Sequence, residues 1–332
     1  MEAIPTGVKM SEAARIPKRR NRAGDPGPQT VPLRRRSLPQ PEMVAGIADA
    51  RLLPDDQFAG YWSSVVYPAD EKERTARTAA AGYVLRSRIS FERLPLHGVI
   101  LLIGPPGTGK TTLARGLADR VARMLSGLGP FAFLEVNPHA LASSSLGRSQ
   151  QAVEELFSTT ITETAAGGPL IVLFDEIETI ATDRGQLSFD ANPADVHRAV
   201  DAALVGLDRV ARNHPDVLFL ATSNFPEAID GALTSRADLI VRVDLPAQEA
   251  RQAILEDTLT ALADAFPKTR RLLTPELLHR AARATEGLDG RQLRKAVAAA
   301  AGRSEGATVD PNEITAENVL ASLADAVKGL ES

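Results

Sequence analysis

Eight residues, Gly104-Pro105-Pro106-Gly107-Thr108-Gly109-Lys110-Thr111, constrain this chain more than any others. They follow a continuous apolar run, Val99 to Ile103, and precede a helical pattern from Leu113 to Leu125. An unbroken apolar run of that length has the character of a strand buried on both faces. A glycine-rich turn between such a strand and a helix, ending Gly-Lys-Thr, is a phosphate-binding loop. Its glycines let backbone N–H groups turn inward where a side chain would collide. The helix start adds partial positive charge. Lys110 brings a full charge for the β- and γ-phosphates, and the Thr111 hydroxyl suits a magnesium ion. Nucleotide contacts are therefore expected at Pro106, Gly107, Thr108, Gly109, Lys110, Thr111 and Thr112, with Tyr67 contributing from the segment ahead of the strand.

With 332 residues, 44% of them hydrophobic, the chain has material for one large core and a second small one. It has no cysteine, which excludes a disulfide, a thiolate metal site and a cysteine nucleophile. The five histidines show no metal-binding spacing. No apolar run reaches membrane-spanning length, and the start is not a secretory signal. A soluble, cytoplasmic protein without a membrane partner is the expectation. Charge is unevenly spread. Residues 1–40 hold nine basic and three acidic residues, a surplus of +6 where the whole chain carries −4. That stretch is rich in Pro and Gly and has no period, so it reads as disordered. It is either an arm for nucleic acid or an acidic partner, centred on residues 15–36, or a solvated tail, or an upstream start with Met10 and Met43 as later candidates.

The remaining pattern alternates. Phe58, Tyr61, Trp62 and Tyr67 gather several of the sparse aromatics, with Leu52 and Leu53 ahead of them, before a helix over 70–86. Strands are expected at 99–103, 131–136, 170–174, 217–222 and 240–243, with helices over 149–157 and 195–212. Continuous apolar strands alternating with helices predict an α/β fold, a parallel sheet with helices on both faces. After Pro246 the pattern is only helical: 248–266, 275–285, 290–303 and 315–330. The expected organisation is a basic tail (1–42), a large α/β nucleotide-binding domain (43–246) and a small all-helical lid (247–332).

Four further features carry chemistry. The run 170–174 ends in Asp175-Glu176, a carboxylate pair expected at the end of a strand beside the phosphate-loop strand. Asp175 would hold magnesium with Thr111, and Glu176 would polarise the attacking water. The strand 217–222 ends in Thr222-Ser223-Asn224, whose amide would orient that water. Arg236 stands just before the last strand, placed either to reach a neighbouring subunit's nucleotide or to pair with Asp238. Arg291 opens a helix of the lid, where cationic charge is locally unfavourable and a γ-phosphate contact supplies a reason for it.

The order of phosphate loop, carboxylate pair, Asn224, Arg236 and a lid arginine resembles that of AAA+ ATPases, not that of kinases or small GTPases. Within them the chain is similar to the pachytene-checkpoint remodellers, the thyroid receptor-interacting protein thirteen family. The likeness runs from about Leu52 to Arg294. It rests on Phe58 to Tyr67, the phosphate loop, Asn137-Pro138-His139-Ala140-Leu141, Pro193-Ala194-Asp195 with Arg198, Ser235-Arg236-Ala237-Asp238 and Gly287-Leu288-Asp289-Gly290-Arg291. The resemblance implies an ATP- and Mg2+-dependent homo-hexamer that opens or disassembles a HORMA-domain protein. In the bacterial kind that protein accompanies a cyclic-nucleotide synthase in anti-phage defence, which the ATPase restrains. Where family members carry a folded adaptor-binding domain, this sequence has the basic stretch. At the family's aromatic pore loop it has Ser145, Leu146 and Gly147, so grip by aromatic area is smaller. The second pore loop falls within Arg184–Asn192 by order alone. The competing expectation is a nucleic-acid motor or loader anchored by the basic arm.

Overall fold

The computed structural model describes residues 38–141, 148–180 and 193–330. Three of the five predicted strands appear within their expected bounds: β2 (Val99–Ile103), β3 (Phe131–Val136) and β4 (Leu170–Phe174). β5 (Val217–Ser223) runs one residue further, and β6 (Leu239–Arg242) sits one residue earlier. A sixth strand, β1 (Ile47–Leu53), was not expected. The order is β1-β3-β4-β5-β2-β6. All neighbours are parallel except β1, which runs antiparallel to β3. Only the end residues of β1, Ile47 and Leu53, are buried, and Asp49 and Arg51 between them form an ion pair at 2.6 Å. A strand packed through its ends, with charges along its length, lacks the apolar period that marks the others. The topology also corrects one expectation. β4, which carries Asp175-Glu176, is not beside β2; β5 lies between them.

The helices of the α/β part are α1 (Asp56–Ser64), α2 (Ala69–Arg86), α3 (Lys110–Met124), α4 (Arg148–Glu155), α5 (Thr162–Ala166), α6 (Pro193–Asn213) and α7 (Gly231–Thr234). Alternate residues of the central strands feed two separate cores. Ile100, Leu102, Leu218 and Leu220 pack with α1, α2 and α3; Leu101, Ile103, Phe219 and Ala221 pack with α4, α6 and the π-helical turn Leu156–Ile161. Strands buried on both faces read as unbroken apolar runs, which is why they were legible. Leu38 and Val44 pack, partly buried, against the second of these cores.

One close approach fixes how α1 lies on α3. A Cβ on Gly116 of α3 would lie 2.7 Å from both N and Cα of Trp62 in α1. These are backbone atoms and cannot swing aside. Gly116→Ala is expected to cost about 1–3 kcal/mol, as overpacking does. Thermal unfolding checks this; an unshifted midpoint would mean that α1 yields freely.

The C-terminal helices are α8 (Gln248–Ala265), α9 (Pro275–Ala284), α10 (Gly290–Ala299), α11 (Glu305–Val309) and α12 (Ala316–Lys328). They bury a third core of their own, centred on Leu255, Leu259, Ala282, Leu293 and Val319. α11 was not expected; it is too short for a clear period. Buried Arg251 of α8 donates to Ala282 O at 2.9 Å and to Pro246 O at 2.8 Å, tying the helices to the segment that enters them. Among the described residues, no helix is long and apolar enough to cross a membrane.

Candidate functional site

The parallel strands end together, and the loops beyond those ends build the site. After β2 the chain turns through the phosphate loop into α3. Gly109 occupies the N-cap of α3 with φ +93°, a conformation open to glycine and costly for other residues. Gly107 has φ +79°, and a Cβ there would lie 2.0 Å from Asp289 Oδ2. Lys110 is buried, and its Nζ donates to Pro105 O at 2.7 Å. Burial pushes its ammonium below the ordinary value, against the pull of Glu178, Asp175 and Glu176.

Asp175 and Glu176 follow β4. Asp175 Oδ1 accepts from Thr111 Oγ1 at 2.7 Å and from Thr222 Oγ1 at 2.6 Å. Thr222 in turn accepts from the Glu176 backbone N–H at 3.0 Å. The Asp175 carboxylate thus joins the end of the phosphate loop to the intervening strand. Glu176 is the one non-glycine residue with positive φ among the described residues, at φ 58° and ψ 56°. Such a backbone costs about 1–3 kcal/mol and persists where its surroundings fix it. Here they do so at three points. Beside the N–H bond to Thr222, Oε1 accepts from Asn224 Nδ2 at 3.0 Å, and Oε2 lies 3.0 Å from His139 Nε2. Asn224 is held by its own N–H, which donates to Glu178 Oε1 at 3.0 Å.

These groups share a cavity of about 360 Å³, lined by Pro106, Gly107, Gly109, Lys110, Thr111, Thr112, Asp175, Glu176, Thr222 and Asn224. Arg291, Arg294 and Lys295 of α10 complete it. Asp289 caps α10 reciprocally with Gln292, at 2.7 and 2.8 Å, and so sets the helix start against the phosphate loop. An adjoining cavity of about 320 Å³ opens among Tyr61, Val65, Val66, Tyr67, Ile254 and Asp257, and Thr108 borders it. Tyr67 Oη lies 3.0 Å from both Arg242 O and Glu71 Oε2. Burial, reinforced by Glu71, pushes its phenol up to about 12, so it keeps its proton.

The structure thus gathers the phosphate loop, Asp175, Glu176, Asn224 and Arg291 at one cavity and Tyr67 at its neighbour. It does not bring Arg236 to either. Nor does Arg236 pair with Asp238, as one expectation had it. It pairs with Asp208 of α6, while Asp238 accepts from the N–H groups of His97 and Gly98 at 3.0 and 2.6 Å. The pore-loop positions Ser145, Leu146 and Gly147, the second loop 184–192 and the basic stretch 1–37 lie outside the described residues.

Sequence reasoning missed Thr222, His139, Glu178, Arg294 and Lys295. Arg294 and Lys295 stand three and four residues after Arg291, on the same helix face, and that spacing was a usable signal. His139 stood in one of the stretches that carry the family resemblance, but nothing along the chain announced its contact with Glu176, 37 residues away.

Residues 100–245 match the family described as ATPase family associated with various cellular activities (AAA). The chain is 47% identical over 281 residues to CD-NTase-associated protein 6 of Pseudomonas aeruginosa, covering 85% of this chain and 92% of that one. It is 32% identical to the putative pachytene checkpoint protein 2 of Caenorhabditis elegans, over 73% of this chain but 62% of that longer protein. Among solved structures, C. elegans PCH-2 superposes with TM-score 0.68 at 28% identity, covering 86% of this chain and 76% of that one. A chain from the E. coli MS115-1 HORMA:CdnC:Trip13 complex does so with TM-score 0.67 at 20% identity, covering 87% and 97%, which speaks to the fold alone.

Proposed function

The chain belongs to the AAA ATPase family, as a relative of CD-NTase-associated protein 6, and from that premise we propose that it is a ring-forming remodeller. It hydrolyses ATP to ADP and phosphate as a homo-hexamer. It uses that work to open or disassemble a HORMA-domain protein complex, and so restrains a cyclic-nucleotide anti-phage signal. The observation that carries the ATPase reading is the convergence of Lys110, Thr111–Asp175, Glu176–Asn224 and Arg291 on one cavity from distant parts of the chain. The client reading rests on the relatives: one is named for its association with a CD-NTase, and one solved neighbour comes from a complex with a HORMA protein.

Thr111 and Asp175 suit a magnesium ion, because two hard oxygens already converge at 2.7 Å. Bound there with ATP, the ion offsets phosphate charge. The N–H groups of residues 107–112 cradle the phosphates, and Lys110 exchanges the Pro105 carbonyl for phosphate oxygen. Glu176 takes the proton of the attacking water, oriented by Asn224. Arg291 approaches from α10 and links the state of the phosphate to the helical C-terminal part, which acts as the lid. The base lies in the second cavity, beside Tyr67.

The test uses the full chain with a HORMA-domain protein bound to its cyclic-nucleotide synthase. ATP, but not a non-hydrolysable analogue, is expected to release the HORMA protein and stop the synthase. A chain that splits ATP yet leaves that complex intact would overturn the client reading. A chain that releases no phosphate with or without the HORMA protein would overturn the ATPase reading. Phosphate release driven by DNA, lost on removing residues 1–42, would turn the assignment to a nucleic-acid motor.

A further inference from the structure

Arg236 is held by a fork within its own chain. Its Nε and Nη2 donate to the two oxygens of Asp208 at 2.7 and 2.8 Å, and its Nη1 donates to Ala232 O at 2.8 Å. A guanidinium has five N–H groups, so two remain, on edges turned from the carboxylate. The side chains are 22% and 34% exposed, so the fork is partly shielded from water. Paired N–H···O bonds fix the plane of the guanidinium as well as its place. Asp208 is itself braced, with His97 Nε2 3.2 Å from Oδ1. The N–H groups of His97 and Gly98 are anchored on Asp238, and Gly98 leads directly into β2, whose far end becomes the phosphate loop.

We propose that Asp208 is the positioning residue for Arg236. It holds the guanidinium rigid, with two N–H groups free for the phosphate of an adjoining copy. This rests on the reading of Arg236 as acting at a neighbour's nucleotide. A long side chain that reaches across a boundary must present its charge without reorganising at the moment of reaction. The fork supplies that order in advance. The same brace ties Arg236 to the base of the strand that carries its own chain's phosphate loop.

The test compares four full-length chains: the parent, Asp208→Ala, Arg236→Ala and the double variant. It measures ATPase kinetics, binding of a fluorescent ATP analogue and thermal midpoint. Asp208→Ala is expected to lower kcat about 10- to 100-fold, the scale of a misplaced catalytic group. KM for ATP and analogue binding stay within about twofold, since Asp208 touches neither cavity. In the Arg236→Ala background the same substitution changes kcat less than about twofold, because a positioning residue has nothing left to position. If Asp208→Ala does not fold, Asp208→Asn, which keeps the shape and one acceptor, carries the comparison with a smaller loss. Unchanged turnover in Asp208→Ala beside a dead Arg236→Ala overturns the positioning role and leaves the reading of Arg236 standing. An equal fractional loss in both backgrounds also overturns it. Unchanged turnover in Arg236→Ala overturns the reading of Arg236 itself.

Discussion

Glu176→Gln is expected to bind ATP as tightly as the parent chain and to release phosphate about 10²- to 10⁴-fold more slowly. The geometry makes the substitution clean. Gln has the shape of Glu, so its amide oxygen still accepts from Asn224 Nδ2, and its amide nitrogen faces the His139 ring. The left-handed backbone at residue 176 is fixed by the N–H bond to Thr222, which the substitution does not touch. What is lost is the capacity to take a proton. The groups proposed to bind ATP lie elsewhere in the cavity, in the phosphate loop and at Arg291. Equilibrium binding of a fluorescent ATP analogue and steady-state phosphate release separate the two effects. Parent-like turnover would remove Glu176 from the chemistry. Weakened binding would mean that the carboxylate shapes the cavity instead. The trapped ATP state also gives a practical handle, since a client engaged by the ring should stay on it.

Arg236→Ala should be the second large effect. If this arginine offsets charge on a neighbour's transferring phosphoryl group, its loss costs about 10³- to 10⁵-fold in turnover. Binding of ATP should be unaffected, because Arg236 lines neither cavity of its own chain. Mixing decides between action within the chain and across it. Rings of Arg236→Ala and rings of Glu176→Gln are each expected to be inactive, for different reasons. In mixed rings, a protomer with an intact Glu176 sits beside one with an intact Arg236, and turnover should return. No recovery on mixing, with subunit exchange confirmed by fluorescence transfer between labelled protomers, would place the action of Arg236 inside its own chain. The thermal midpoint guards against a trivial cause, since Arg236→Ala also leaves the Asp208 carboxylate without its fork.

How much was legible follows from how local each feature is. The turn between β2 and α3 was readable because its left-handed backbone demands glycines at fixed offsets within a few residues. The central strands were readable because burial on both faces removes polar residues from every position. β1 escaped because it is an edge strand that carries charge along its middle. The neighbour of β4 was misjudged because strand order in a parallel sheet is set by crossovers, and no residue along a strand declares which strand lies beside it. The alternative pairing of Arg236 with Asp238 failed for a related reason. Asp238 is two residues away, but it is taken up by the N–H groups of His97 and Gly98, and the carboxylate that meets the guanidinium comes from 28 residues upstream.

The residues of this protein fixed, by themselves, where a glycine-rich turn joins a buried strand to a helix, which carboxylates follow a buried strand, and that a helical segment comes last. Those are properties of short stretches, where steric limits and a repeating apolar pattern leave few alternatives. Tertiary structure alone decided that Thr222 meets Thr111 on the Asp175 carboxylate, that Asn224 and His139 grip Glu176 from two sides, and that Asp208 braces Arg236. Each of these is a hydrogen bond between segments distant in the chain. Its partners are chosen by how strands and helices stack, and by the cost of leaving a polar group unmatched once they have stacked.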